Sequence, residues 1–308
     1  MGTSLLTNQS AMNALQTLRS IGDNMDTTQR RVSTGLRINE ASDNTAYWSI
    51  SSMMKSDRNA LSSVSDAMAL GKSQIDVANA TIDKSKEYLD NIQKSLTTAY
   101  EKGSGDIKKI QADIKANMND IESAVYSASL AEKNILGNNG QSVRIAGSYR
   151  REGSNVYVDM IDVGGKELNF ATNKGDGTFD LSKGQLKDIF GTAVKPDQPD
   201  DNGTSTFAGE PAFKPSATNP INVKGINEAA KAYNEAVASG ASDIADKKTA
   251  LTTALGDFTV KDFVTQDFSE ATSAGMEAIL KVVQGKVTTA TSNVVTAGAT
   301  LGAAKAQV

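Results

Sequence analysis

The sequence predicts a mainly α fold with a smaller β part: a long antiparallel heptad helical bundle formed by both chain ends, β-hairpins beside it, and an inserted variable α/β or irregular outer domain. Three observations carry that expectation. Two distant stretches, 61–99 and 276–308, place apolar or small residues at unbroken steps of three and four, the a/d seam of packed helices. Around residues 143–160 the period changes to the two-residue alternation of strands. All five prolines fall between Pro196 and Pro220, among Asp, Asn, Gly, Ser and Thr, which marks loop or a small irregular domain.

Leu5, Ala11, Leu15, Leu18, Met25 and Val32 lie close to helical spacing with polar residues between them, so 5–32 reads as one amphipathic helix. Ser33–Trp48 has no clean period and contains Gly35, Asn39, Asp43 and Asn44, the pattern of a loop with short helical turns. From Leu61 the seam runs Val64, Met68, Gly71, Ile75, Ala78, Ile82, Ser85, Leu89, Ile92, Leu96, Ala99. With Asp57 near its start and Gly103–Gly105 as its stop, this helix is expected to run about 44 residues, or ~66 Å. A second block, Ile107 to Val125, repeats the spacing after the Gly-Ser-Gly turn and is expected to return antiparallel. Val143/Ile145 and Val156/Val158/Met160 alternate, and Gly164–Gly165 is the expected hairpin turn before Leu168 and Phe170. Residues 226–256 read as a short helical pair broken at Gly240. The closing seam runs from Met276 through Leu280, Val283, Val287, Ala290, Val294, Ala297, Leu301 and Ala304 to Val308. Seams of this kind need partners and most simply pack on one another.

The composition removes most chemistries. The 308 residues carry a net charge of −4 and contain no Cys and no His. That excludes disulfides, Cys/His zinc sites and imidazole mechanisms, and gives no bulk attraction for nucleic acid or an anionic membrane. No run of 18 apolar residues and no Sec-type leader occurs, so no membrane insertion is expected. That alone points to the cytoplasm, unless the chain leaves by a route that reads no Sec signal. No Ser-x-x-Lys sits beside an oxyanion loop. The acidic run Asp197–Gly203 misses the calcium-loop pattern and reads as a solvated turn. Neither a catalytic residue, a cofactor nor a metal is therefore expected. Arg30, Arg31 and Arg37 lack interleaved aromatics and face Asp23, Asp26, Glu40 and Asp43, which favours an ion-paired face, solvated or between subunits. Trp48, the sole tryptophan, is either packed locally or an interface anchor. The stripe of the first helix has no evident partner in the chain, which marks a missing segment or an association surface.

The runs Ser4-Leu5-Leu6-Thr7-Asn8 with Ser10-Ala11-Met12, Arg31-Val32-Ser33-Thr34-Gly35-Leu36-Arg37-Ile38-Asn39 and Ala41-Ser42-Asp43-Asn44 closely resemble the amino-terminal region of bacterial flagellins, alphaproteobacterial ones in particular. The closing Ala299-Thr300-Leu301-Gly302-Ala303-Ala304 is similar to the family's inner helical domain, and the likeness covers roughly 3–172 and 273–308. It implies a structural subunit of the flagellar filament, serving motility, secreted through the flagellar type III apparatus and polymerised outside the cell. The implied partners are the chain itself as a helical homopolymer, paralogous flagellins, the filament cap, hook–filament junction proteins and an export chaperone. The implied division is a terminal-layer helix and spoke loop (1–45), a bundle core with β-hairpins (46–172), a variable exposed insert (173–260) and a returning helix (261–308). Leu5, Leu15, Leu18, Met25 and Val32, with Arg31, Arg37 and Asn39, are the residues expected at the subunit interface. The alternative is an adhesin or polysaccharide-binding variant acting through the insert, with Phe207, Phe213 and Tyr233 stacking on a glycan. Tyr47-Trp48 stand where the family commonly has Gly-Leu. A further helix follows position 308 in the family, so a chain ending there is expected to stay monomeric or weakly associated.

Overall fold

The computed structural model describes residues 8–102, 106–153, 155–175, 178–191 and 221–307. The chain divides into two compact units at Ser65/Asp66. Helix α1 (Gln9–Thr34) begins where the Asn8 carboxamide accepts the N–H groups of Ser10 and Ala11, and ends at Gly35 with φ +66°. Both devices are local: an Asn satisfies orphan donors at the first turn, and glycine takes the left-handed conformation at no steric cost. The Asp43 carboxylate then gathers the N–H groups of Asn39 and Glu40 at 3.0 and 3.2 Å. The Asn44 side chain accepts from Tyr47 N–H to open α2.

Helix α2 spans Thr45–Lys102, 58 residues without a break, or about 87 Å at 1.5 Å per residue. It starts at Thr45 rather than near Asp57, and so absorbs Thr45–Trp48 from the expected loop. The 3/4 spacing explains the correction, because it continues backward from Leu61 through Asp57, Met54 and Ile50 to Tyr47. No described residue before Asp66 is buried. From Gly71 onward every expected seam position of α2 is buried.

In the second unit, α3 (Ile107–Ser127) buries Ile107, Ile110, Ile114, Met118, Ile121 and Val125, the stripe read from the sequence. Gln74 of α2 donates to the carbonyl of Leu130, just past the end of α3, so α3 runs back along α2. Helix α8 (Ser273–Gln307) buries each expected seam residue from Met276 to Ala304. Lys305 pairs with Asp76 at 2.5 Å, and Gly298 lies against Ile82. The high-numbered end of α8 therefore meets the early part of the α2 seam, an antiparallel pair. These stripes form one continuous core cluster.

A long antiparallel hairpin, β3 (Ser142–Glu152) with β4 (Asn155–Gly164), packs on that core through Val143, Ile145, Ile161 and Val163. It follows the minimal pair β1 (Ser129–Leu130) and β2 (Lys133–Asn134), and a second minimal pair comes after it, β5 (Thr172–Asn173) with β6 (Phe179–Asp180). The register shifts between Ala146 and Ser148. Gly147 fits this bulge because a β-carbon there would meet Ile161. Gly164–Gly165 does not close a hairpin: with φ +122° and +103° it ends β4 and feeds a 3₁₀ turn at Lys166–Leu168. Leu168 and Phe170 are core residues outside any strand. Val156, Val158 and Met160, in alternating positions as expected, lie on the exposed outer half of the hairpin.

Helices α4 (Lys187–Phe190), α5 (Val223–Ser239), α6 (Ile244–Leu255) and α7 (Val260–Thr265) complete the unit. Gly240, at φ +65°, separates α5 from α6 as the sequence suggests. Leu186, Ile189, Ile226 and Val260, all from the stretch read as an insert, lie in the shared core. Thr259 and Asp262 form a reciprocal capping box on α7, and Thr259 Oγ1 also donates to the Gly191 carbonyl. Gln111 Nε2 donates to the carbonyls of Phe263 and Gln266 at 2.7 and 2.8 Å, which fastens α3 to the end of α7. Lys286 of α8 donates to Asp257 at 2.6 Å and to Asp188 at 3.2 Å. Partial burial disfavours its charge, but those two hydrogen bonds and the two negative charges outweigh this and raise its pKa above 10.5.

Two outcomes are expected from the packing. Gly71 belongs to the buried seam because Ile145 occupies the space a β-carbon would need. Gly71→Val should therefore cost about 1–3 kcal/mol by overpacking, read by urea unfolding, and Ile145→Ala in the same chain should recover part of it. Lys286→Met should cost about 1–2 kcal/mol near neutral pH, because two carboxylates lose their shared cation. Since the folded pKa is raised, Lys286 stabilises fully below pH 10.5 and loses this as pH climbs through its folded value. Thermal unfolding of wild type and variant should converge there.

Candidate functional site

The concentration of exposed large apolar side chains lies in the first unit. On α1, Leu15, Leu18, Ile21, Met25 and Val32 fall within an arc of about 120° at 3.6 residues per turn. Leu18 is 68% and Val32 78% exposed. A helix of 26 residues with no buried member lacks, among the described residues, the packing of an apolar face that supplies most helical stability in proteins. Ile21 shares the stripe, beyond the residues that the sequence reading names. Its spacing to Leu18 and Met25 was the available signal.

The same character continues on α2. Tyr47, Ile50, Met54 and Leu61 are exposed along the line that becomes the buried seam farther on, a stripe hidden from sequence reading because its first turn was assigned to a loop. Trp48 is 41% exposed in the first turn, so local packing covers it only in part. Each half-exposed side chain of this size offers about 1 kcal/mol if covered, so the two stripes together hold several.

The polar candidates form a turn beside them. Arg31 sits in the last turn of α1, where a cation complements the helix dipole. Asn39 supplies its N–H to Asp43. Arg37 is exposed on the connecting segment, and Arg30 pairs with Glu40 at 3.7 Å. The N–H groups of Asn39 and Glu40, helped by the charges of Arg31 and Arg30, hold the Asp43 carboxyl below its ordinary 3.8. The cavity bounded by Arg30, Arg31, Asn39, Glu40 and Asp43 measures about 10 Å³, room for one water at most. This is a turn-forming cluster rather than a ligand site.

Elsewhere, an open groove of about 380 Å³ runs between α3 and α7 beside Lys108, Lys115 and Asp267, and its Gln111 amide is already engaged. Among the described residues no group of three Asp or Glu could hold a metal, and no helix is long and apolar enough to cross a membrane. Leu5, Gly103–Gly105, the acidic run Asp197–Gly203, the proline-containing stretch 196–220 with Phe207 and Phe213, and Val308 lie outside the described residues. Tyr233 is half-buried on α5.

An uncovered apolar face with no pocket suits a protein whose partner surface is another chain. Residues 5–140 match the bacterial flagellin N-terminal helical region, which spans both exposed stripes. The whole chain is 46% identical over 329 aligned positions to a flagellin of Bartonella bacilliformis and spans 84% of it. The chain belongs to the flagellin family. A flagellin of Brucella melitensis is 44% identical over 160 residues, covering 52% of this chain and 57% of that protein. Flagellin A of Rhizobium meliloti is 39% identical over 182 residues, covering 58% and 44%. The chain thus spans about half the length of these last two. Membership makes this flagellin a structural subunit of the flagellar filament and not an enzyme, in keeping with a sequence that lacks both His and Cys.

The Asp43 turn gives a pH-dependent outcome. Because its pKa is depressed, the contribution of Asp43 is present above about pH 3.8 and is lost as pH falls through the folded value. Amide protection at Asn39 and Glu40, measured relative to the intrinsic exchange rate at each pH, should fall on acidification, and in Asp43→Ala it should be lost at neutral pH as well. Protection at Asn8-capped Ser10 should stay unchanged in both.

Proposed function

We propose that this flagellin polymerises by burying the stripe of α1 between subunits, with Leu5, Leu15, Leu18, Met25 and Val32 as its apolar contacts. Arg31, Arg37 and Asn39 fix the turn and the charge pattern beside it. The observation that carries the reading is the contrast between the units. The second buries its a/d seams from Gly71 on α2 and from Met276 to Ala304 on α8, whereas the first leaves large apolar side chains of the same spacing in water. Such a surface is covered only by another chain or further segment, and burial then offsets the ordering of a helix with little support of its own.

In this reading residues 1–45 form the layer nearest the filament axis, 46–172 and 261–308 the helical wall, and 173–260 the outward part apart from the residues, such as Leu186, Ile189, Ile226 and Val260, that lie in the core. The subunit leaves the cell through the flagellar type III apparatus, kept from premature association by an export chaperone. It adds under a filament cap above hook–filament junction proteins, alone or with paralogous flagellins. The family membership and the unpartnered stripe support this assignment. No observation favours a glycan-binding role for the insert, so it stands as the less supported alternative.

Leu15→Asp or Leu18→Asp should leave monomer helicity and urea stability within about 0.5 kcal/mol of wild type, as for other exposed positions. Elongation of sheared filament seeds, followed by electron microscopy, should stop. Equal loss of monomer stability would place the stripe inside the subunit and defeat the reading.

A further inference from the structure

Eight methionines lie among the described residues, and the fold sorts them by access. Met118 and Met276 are closed in the core and Met68 is half-buried, while Met12, Met53 and Met160 are exposed off the two stripes. Met25 and Met54 are 57% and 67% exposed, and each stands inside an apolar stripe: Met25 between Leu18 and Val32, Met54 between Ile50 and Leu61. The chain has no cysteine to intercept an oxidant, so its accessible thioethers are its softest targets.

Resting on the assembly reading of these stripes, we propose that Met25 and Met54 are oxidation sites through which hydrogen peroxide arrests filament growth. The thioether sulfur attacks one peroxide oxygen and the O–O bond breaks. A sulfur–oxygen bond forms, the sulfur gives up two electrons, and the second oxygen leaves as water after proton transfer. The product is methionine sulfoxide, polar where the thioether was apolar. Docking two such stripes would bury a strong acceptor among Leu, Ile and Val side chains that offer no donor, which disfavours addition. The sensitivity belongs to the free subunit, because the same sulfurs are covered once it has added. Methionine sulfoxide reductases reverse the change, so the arrest is reversible.

The test uses purified full-length subunits treated with hydrogen peroxide, quenched, mapped by mass spectrometry at each methionine, and offered to filament seeds. Each sample is compared with its own untreated control. Mapping should show sulfoxide at Met25, Met54 and Met160 before Met118 or Met276. Treated wild type should elongate at least tenfold more slowly, with unchanged circular dichroism, and Met160→Leu should lose as much. The double variant Met25→Leu/Met54→Leu should slow less than twofold on treatment, and reductase should restore treated wild type. The proposal is overturned if treated wild type carrying both sulfoxides elongates at the untreated rate, or if the double variant slows as much as wild type. Untreated Leu15→Asp separates the two failures. If it elongates normally, the assembly reading itself has failed. If it is blocked while sulfoxide-bearing wild type grows, only the oxidation proposal falls.

Discussion

The need to cover a stripe of apolar side chains that returns every three or four residues governs this molecule. A single helix cannot satisfy it, because the stripe faces one way and the helix has no second wall. The second unit answers internally: α2, α3 and α8 turn their stripes toward one cluster, and α4, α7 and the β3–β4 hairpin close its remaining sides. The first unit contains the same kind of stripe without an internal answer. Fold and assembly are thus two outcomes of one physical demand, separated only by whether the covering surface lies in the same chain.

What the sequence made legible follows the strength of that period. Every seam position read in α8 from Met276 to Ala304 is buried, and so are the six read in α3, because long regular stripes leave few alternatives. The start of α2 was misplaced by twelve residues because Asn39, Asp43 and Asn44 look like a continuing loop. In the structure they build a compact Asx-type turn that ends by capping the next helix. Gly164–Gly165 was mistaken for a hairpin turn because paired glycines usually serve that purpose. Here the chain turns near Gly153 instead, and the pair releases it into the core.

The segment around α7 shows a different limit. Six helical residues carry too little period to detect, yet Phe258, Phe263 and Phe268 are among the largest fully buried side chains. The Thr259/Asp262 box was present in the sequence as a local signal. Its anchoring by Gln111 and Gly191, through pairs separated by 152 and 68 positions, is tertiary and was not. The interface candidates share that limit. Spacing identified Leu15, Leu18, Met25 and Val32 as a stripe, but only their exposure distinguishes an uncovered stripe from one that another helix has closed.

The place of α8 in the chain also sets an order of events. Its 35 residues complete a core whose other wall was laid down some two hundred positions earlier, so the closing contacts enclose a very long loop. Local caps let α1 and α2 begin as soon as their own residues are free. The seam of α2, lined early by α3, nevertheless stays open on the side that α8 covers until that helix is available. A chain delivered to its site of folding amino-terminus first would keep this core open until α8 arrived. Topology would then work as a timer, holding back closure of the core until the residues of α8 have emerged.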